Sequence, residues 1–126
     1  MHELGLIVEV VEIVERAARE NKIDRVDKVV LDIGEMYYVV PALMRSVYRS
    51  AIKGTVLEGS ELEMNFIPAA SKCRKCGTVF NPLEADGICP SCGAEDYEVT
   101  GGKEFEIRQI GFAPSKPPGG GSGSTE

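Results

Sequence analysis

Cys73-Arg74-Lys75-Cys76-Gly77 and Cys89-Pro90-Ser91-Cys92-Gly93 are two C-x-x-C-G units, with twelve residues between Cys76 and Cys89. Two intervening residues put both sulfurs of a pair on one side of a tight turn. The following glycine permits the left-handed backbone from which amide N–H groups can face sulfur. Two such turns complete a tetrahedral shell of four thiolates, the closed geometry of structural Zn²⁺. With all four positions filled by protein, no position is left for Lewis-acid chemistry. A rubredoxin-like iron site would use the same ligands; zinc is preferred because nothing nearby suggests an electron partner or cofactor. The filled site would carry −2, which the flanking Lys72, Arg74 and Lys75 are expected to offset. A module of roughly thirty residues cannot bury enough apolar surface to fold alone. The metal must then supply folding free energy on the order of 10 kcal/mol.

Working outward, the cysteine segment is bounded by Pro68 with the small Ala69-Ala70-Ser71 before it and Gly101-Gly102 after it. Both connections are expected to let the module swing. Residues 3–21 predict a helix, with Leu4, Ile7, Val8, Val11, Val14 and Ala18 on one stripe and Asn21 as terminator. Residues 25–35 predict a strand, Val29, Leu31 and Ile33 facing one way, Lys28, Val30 and Asp32 the other. Pro41 opens a second helix, in which Leu43, Met44, Val47, Tyr48 and Ala51 form the packing face. Residues 61–67 alternate, with Leu62, Met64 and Phe66 inward and Glu61, Glu63 and Asn65 outward, and residues 103–108 alternate again with Phe105 and Ile107 inward. Helix, strand, helix and strand thus make one domain, the module interrupts it, and a last strand returns to the sheet. The fold class is α+β: a three-stranded antiparallel sheet with two helices, plus a small inserted zinc-ribbon module. The expected division is 1–70 with 101–111, then 71–100 for the four-cysteine module, then a disordered Pro/Gly/Ser tail over 112–126.

The chain of 126 residues has a net charge of −6, and no segment of it is basic, so the electrostatic footprint of nucleic-acid binding is missing. No apolar run approaches transmembrane length, and Glu3, Glu9 and Glu12 interrupt the start where a signal peptide would be apolar. A cytoplasmic protein is expected, and in a reducing compartment four cysteines read as metal ligands rather than disulfides.

The only histidine is His2. It sits one peptide bond from the terminal amine, so Met1 and His2 together offer three nitrogens: the amine, the His2 backbone nitrogen and the ring. They form fused five- and six-membered chelate rings in one plane, suited to Ni(II) or Cu(II). Zn²⁺ prefers a tetrahedron and fits poorly. The Glu3 amide is badly placed as a fourth ligand, which leaves that position open to water, another side chain or a partner. The plain alternative is an unligated surface histidine.

Met-His-Glu-Leu at the start, Val-Val-Pro at 39–41, Lys-Gly-Thr at 53–55, Glu-Gly-Ser-Glu-Leu at 58–62 and the two C-x-x-C-G units occur in this order. The chain resembles, from Met1 to about Ile110, the HypA family of accessory proteins for nickel insertion into [NiFe]-hydrogenase and, in some organisms, urease. It departs from the family at Gly5, where serine is expected, and at Ala42, where an acid is common. The resemblance implies a nickel metallochaperone rather than an enzyme. His2 and the Met1 amine would hold Ni(II), and Cys73, Cys76, Cys89 and Cys92 would hold structural Zn(II). Its partners would be a HypB-type GTPase, the hydrogenase large-subunit precursor and, in some organisms, urease maturation proteins. The rival is a zinc-ribbon module acting on nucleic acid or transcription; a redox carrier ranks third.

Overall fold

Helix α1 (His2–Glu20) forms close to the span its periodicity predicts. The face it buries differs in part. Glu3, Ile7, Val10, Val11, Val14 and Ala18 are buried, whereas Leu4 and Val8 are 53% and 41% exposed. Residues 3, 7, 10, 14 and 18 follow the helical period as closely as the expected stripe. Only packing chooses between the two. Asn21 Nδ2 donates to the Ala17 carbonyl at 2.8 Å, and Lys22 takes the left-handed conformation, φ 56°, that ends the helix.

The computed structural model describes residues 2–112. The expected disorder of the tail concerns residues outside them, apart from Phe112, which belongs to a strand. After α1 come β1 (Val26–Gly34), a 3-10 turn (Glu35–Tyr37), α2 (Pro41–Ala51) and β2 (Glu61–Ile67). Then follow β3 (Ala70–Cys73), β4 (Val79–Phe80), β5 (Tyr97–Gly101) and β6 (Phe105–Phe112). One sheet has the order β2-β1-β6 and the other β4-β3-β5, so the last strand does return beside the first. The fold is α+β, with two helices and two small sheets.

The described chain divides into two compact units: residues 2–30, 40–63 and 107–112 make one, and 31–39 and 64–106 the other. In the first, α1 packs against α2. Met44 is fully buried and Tyr48 is 3% exposed, the Tyr48 hydroxyl lying 2.6 Å from Ser60 Oγ. These two side chains are core, with the one polar atom satisfied. Strand β1 is central in its sheet, so Val30 on the opposite side from Val29 is buried too. Lys28 pairs with Glu63 at 3.0 Å on the expected outer face. Both ends are more than a third exposed, so the pair contributes little.

In the second unit the backbone crosses itself at very close range. A Cβ on Gly34 would stand 2.0 Å from the Gly102 carbonyl oxygen, and one on Gly102 would stand 2.5 Å from Ala69 Cα. The Gly34 N–H donates to the Glu104 carbonyl at 2.6 Å and the Met36 N–H to the Gly102 carbonyl at 2.9 Å. Glu35 completes the crossing: its Oε1 accepts from the Ala69 N–H at 2.8 Å and from Asn81 Nδ2 at 3.0 Å. The connections at 68–71 and 99–102, expected to swing, are therefore bonded to the 34–36 turn.

The Ala69 N–H, then Asn81, hold the Glu35 carboxyl below the usual carboxylate range. A lowered folded pKa means that the ionised form is favoured by folding. That stability is present above the ordinary carboxylate pKa and is lost as pH falls through the folded value. Urea midpoints should fall more steeply below about pH 5 in the wild type than in Glu35→Gln, the reference carboxylate titrating near 4.3. Parallel curves for the two proteins would contradict this.

Candidate metal centres

Strand β3 ends on Cys73 and starts the first cysteine turn. It pairs antiparallel with β4 through Ser71–Phe80 and Lys72–Val79, and with β5 through Cys73–Tyr97 among others. These three strands were not foreseen. They are short, and their pattern is masked by the cysteines and the turn residues between them. The Gly77 N–H donates to the Cys73 carbonyl and the Gly93 N–H to the Cys89 carbonyl, each at 2.9 Å. Gly77 and Gly93 have φ of 80° and 78°. Both glycines thus adopt the left-handed turn that the C-x-x-C-G spacing predicts.

The four sulfurs lie within 4.8 Å of one another and are, among the described residues, the one cluster so arranged. Cys73 and Cys92 sulfurs are 3.6 Å apart and Cys76 and Cys89 sulfurs 3.5 Å. A tetrahedron with Zn–S bonds of about 2.3 Å has edges of about 3.8 Å, so the donor set fits one ion. The Lys75 and Cys76 N–H groups face Cys73 Sγ at 3.4 and 3.5 Å. The Cys76 N–H, first among several causes, lowers the Cys73 thiol. The Thr78 hydroxyl, 3.1 Å from the Cys76 sulfur, brings that thiol down to about 6. The Ala94 N–H lowers Cys92, but burial and its three sulfur neighbours outweigh it and push the thiol up to about 11. Four thiols this close oppose one another's ionisation, and a divalent cation among them removes the conflict. Cys73 and Cys89 are buried, Cys76 and Cys92 exposed. Behind them Phe80 and Tyr97 meet edge-on at 5.5 Å, and Ser71 Oγ, fully buried, donates to the Phe80 carbonyl at 2.9 Å.

Arg74 does not do what its position suggests. Its Nη1 donates to Asp96 Oδ1 at 2.8 Å and to the Tyr97 carbonyl at 3.0 Å, so it ties the turn to β5 instead of facing sulfur.

At the other end of the chain, His2 is exposed and is the first residue of α1. Met1, its expected co-ligand, lies outside the described residues. Glu3 is the surprise. It is 4% exposed, and its Oε2 accepts from the Val40 N–H at 3.0 Å. Val40 is the N-cap of α2 and has no side-chain cap of its own. The Glu3 carboxylate therefore stands at the start of α2, where backbone N–H groups and the helix dipole favour an anion. The Val40 N–H is the largest cause bringing its pKa down to about 2. The first turn of α1, which carries His2, is thereby tied to α2. No signal within α1 marks it, since Leu4 and Val8 offer an equally good apolar stripe.

The family model described as "Hydrogenase/urease nickel incorporation, metallochaperone, hypA" matches residues 1–112. The chain belongs to the HypA family. It is 38% identical over 111 residues to the hydrogenase maturation factor HypA of Trichodesmium erythraeum, covering 87% of this chain and 94% of that protein. With the factor of the same name from Dechloromonas aromatica it shares 34% over 110 residues, covering 87% and 97%. Two solution structures have the same fold. That of the Ni metallochaperone HypA from Helicobacter pylori matches with a TM-score of 0.62 at 23% identity, covering 89% of this chain and 97% of that one. Another of HypA protein matches with a TM-score of 0.65 at 22% identity, covering 91% and 98%. Membership of the HypA family makes this a protein of the hydrogenase-maturation, nickel-incorporation class with a metal-capable cysteine cluster.

Proposed function

We propose that the protein binds Ni(II) through the Met1 amine and the backbone and ring nitrogens of His2, and carries it to a hydrogenase precursor without catalysing turnover. The carrying observation is the placement of His2, exposed at the head of a helix whose next residue is tied to Val40. A chelator on a fixed turn spends less conformational entropy when it closes on its ion than one on a loose tail. The open fourth coordination position leaves room for a partner to take the metal.

Zn(II) on Cys73, Cys76, Cys89 and Cys92 is proposed as structural. Three observations support this: the sulfur spacing fits one tetrahedral ion, the N–H groups face Cys73 Sγ, and protein fills all four positions. On this reading residues 1–70 and 101–111 carry nickel and 71–100 the zinc. The partners are a HypB-type GTPase and the hydrogenase large-subunit precursor, with urease maturation proteins where urease is made, and the compartment is the cytoplasm.

His2→Ala should abolish the square-planar Ni(II) absorption while leaving zinc content at one equivalent. Nickel absorption that survives in this variant would remove the site. Loss of zinc together with nickel would instead point to a folding defect.

A further inference from the structure

In the second unit a pocket of about 290 Å³ is lined by Gly34, Glu35, Tyr38, Val39, Phe66 and Leu83. This is at the small end of ligand pockets, about the room that one large side chain and its neighbour need. Two of its walls are aromatic and open to solvent, Tyr38 at 65% and Phe66 at 43% exposure. Phe66 is expected to face inward with Leu62; it shares that side of β2 but is exposed and lines this pocket. Neither metal reading uses these residues.

The walls are fixed by one another. The Tyr38 N–H donates to the Glu35 carbonyl at 3.1 Å, and Tyr38 holds a left-handed φ of 56°, a conformation a tyrosine keeps only when its surroundings determine it. Asn81 donates to Glu35 through Nδ2 at 3.0 Å and accepts the Leu83 N–H on Oδ1 at 2.9 Å. Glu35 thus sets Tyr38 on one side and, through Asn81, Leu83 on the other. A pocket already formed costs little ordering when filled.

Its charge is one-sided. Glu35 is the one charged residue in the lining, and both of its hydrogen bonds fall on Oε1, leaving Oε2 uncommitted among the described residues. The whole chain carries −6. An anionic occupant would meet a carboxylate, and a purely apolar one would desolvate it without return. A large apolar side chain adjoining a cation satisfies both parts: the apolar group between Phe66, Val39 and Leu83, and the cation against Glu35 and the Tyr38 face.

From this we infer that the pocket is a docking site for a partner protein's segment bearing a large apolar side chain next to an arginine or lysine. Aromatic anchors beside arginine are the residue types that concentrate binding energy at interfaces.

Amide shifts in the zinc-loaded 126-residue chain test this with three capped dipeptides as probes: acetyl-phenylalanyl-arginine amide, its glutamine analogue and its glutamate analogue. The arginine probe should shift the Tyr38, Val39, Phe66 and Leu83 amides saturably. The glutamine probe should bind about threefold weaker and the glutamate probe weaker still, the size expected of one exposed charge pair. Phe66→Ser, at an exposed position, should lose binding with the remaining spectrum unchanged. Glu35→Gln keeps the Oε1 acceptor for Ala69 and Asn81 and should erase the ranking while keeping the apolar contact. Equal binding of the three probes to the wild type, no saturable shift at the pocket, or binding indifferent to Phe66→Ser would each overturn the proposal.

Discussion

Cys73→Ser should remove the metal and unfold the β4-β3-β5 sheet while α1 and α2 remain folded. Cys73 is 2% exposed, its sulfur lies 3.6 Å from that of Cys92, and it ends the strand that pairs with both neighbours. The apolar cluster behind the cysteines is small: Cys73, Phe80 and Cys89, with Ala85, Ala94 and Tyr97 packed against it. Burial on that scale cannot offset the entropy of ordering some thirty residues, at about 1–2 kcal/mol per backbone. On the structural-zinc proposal the bound metal would contribute folding free energy that this small cluster does not supply. Hydrogen exchange checks the outcome residue by residue. Amides of Ser71, Lys72, Phe80 and Val99 should lose protection, and those of Val10, Val14 and Val47 should keep it. Retained protection around β3 in the zinc-free variant would show that the sheet stands without its ion.

Gly34→Ala should be the most damaging single methyl addition in the second unit, costing at least about 3 kcal/mol. The added carbon would meet the Gly102 carbonyl oxygen at 2.0 Å, the Gly102 carbonyl carbon at 2.2 Å and the Glu104 nitrogen at 2.8 Å. All three are backbone atoms, so no rotamer change relieves the contact. The segments must separate, which breaks the bonds from Gly34 to Glu104 and from Met36 to Gly102. Those bonds hold the connection at 101–105, so the cysteine segment should loosen as well. Urea unfolding followed by tyrosine fluorescence measures the loss. A midpoint within experimental error of the wild type would contradict the close approach.

The cysteine turns were legible because their chemistry is local. Spacing and the two glycines determine a knuckle without help from the rest of the chain, and Gly77 and Gly93 take the expected left-handed φ. The span of β2, Glu61–Ile67, was legible for a similar reason, since the six residues 61–66 alternate with Pro68 close behind. What escaped depends on tertiary partners. Leu4 and Val8 stand as well on a helical stripe as Glu3 and Val10; nothing within α1 says that the buried face begins with an acid. Val30 is buried because β1 is central, which no single strand can announce. Phe66 follows the β2 alternation and still meets solvent. Arg74 was read by its neighbours in sequence, but β5 brings Asp96 to it from twenty-two positions away. The Gly34–Gly102 crossing joins two glycines that look like ordinary strand and hinge breakers. At the candidate nickel site, chelate chemistry pointed to His2, whereas the tie from Glu3 to Val40 became visible only once α2 was in place.

The central claim is that the chain's own amino terminus is the nickel chelator, and one titration tests it most directly. Ni(II) is added to the zinc-loaded wild type and to the same chain extended by Gly-Ser before Met1, with zinc content followed in both. The extension keeps His2 and the Glu3–Val40 hydrogen bond and replaces the chelating amine by an amide. One equivalent of square-planar Ni(II) in the wild type and none in the extended chain, at equal zinc, is the predicted result. Unchanged nickel binding in the extended chain would contradict it.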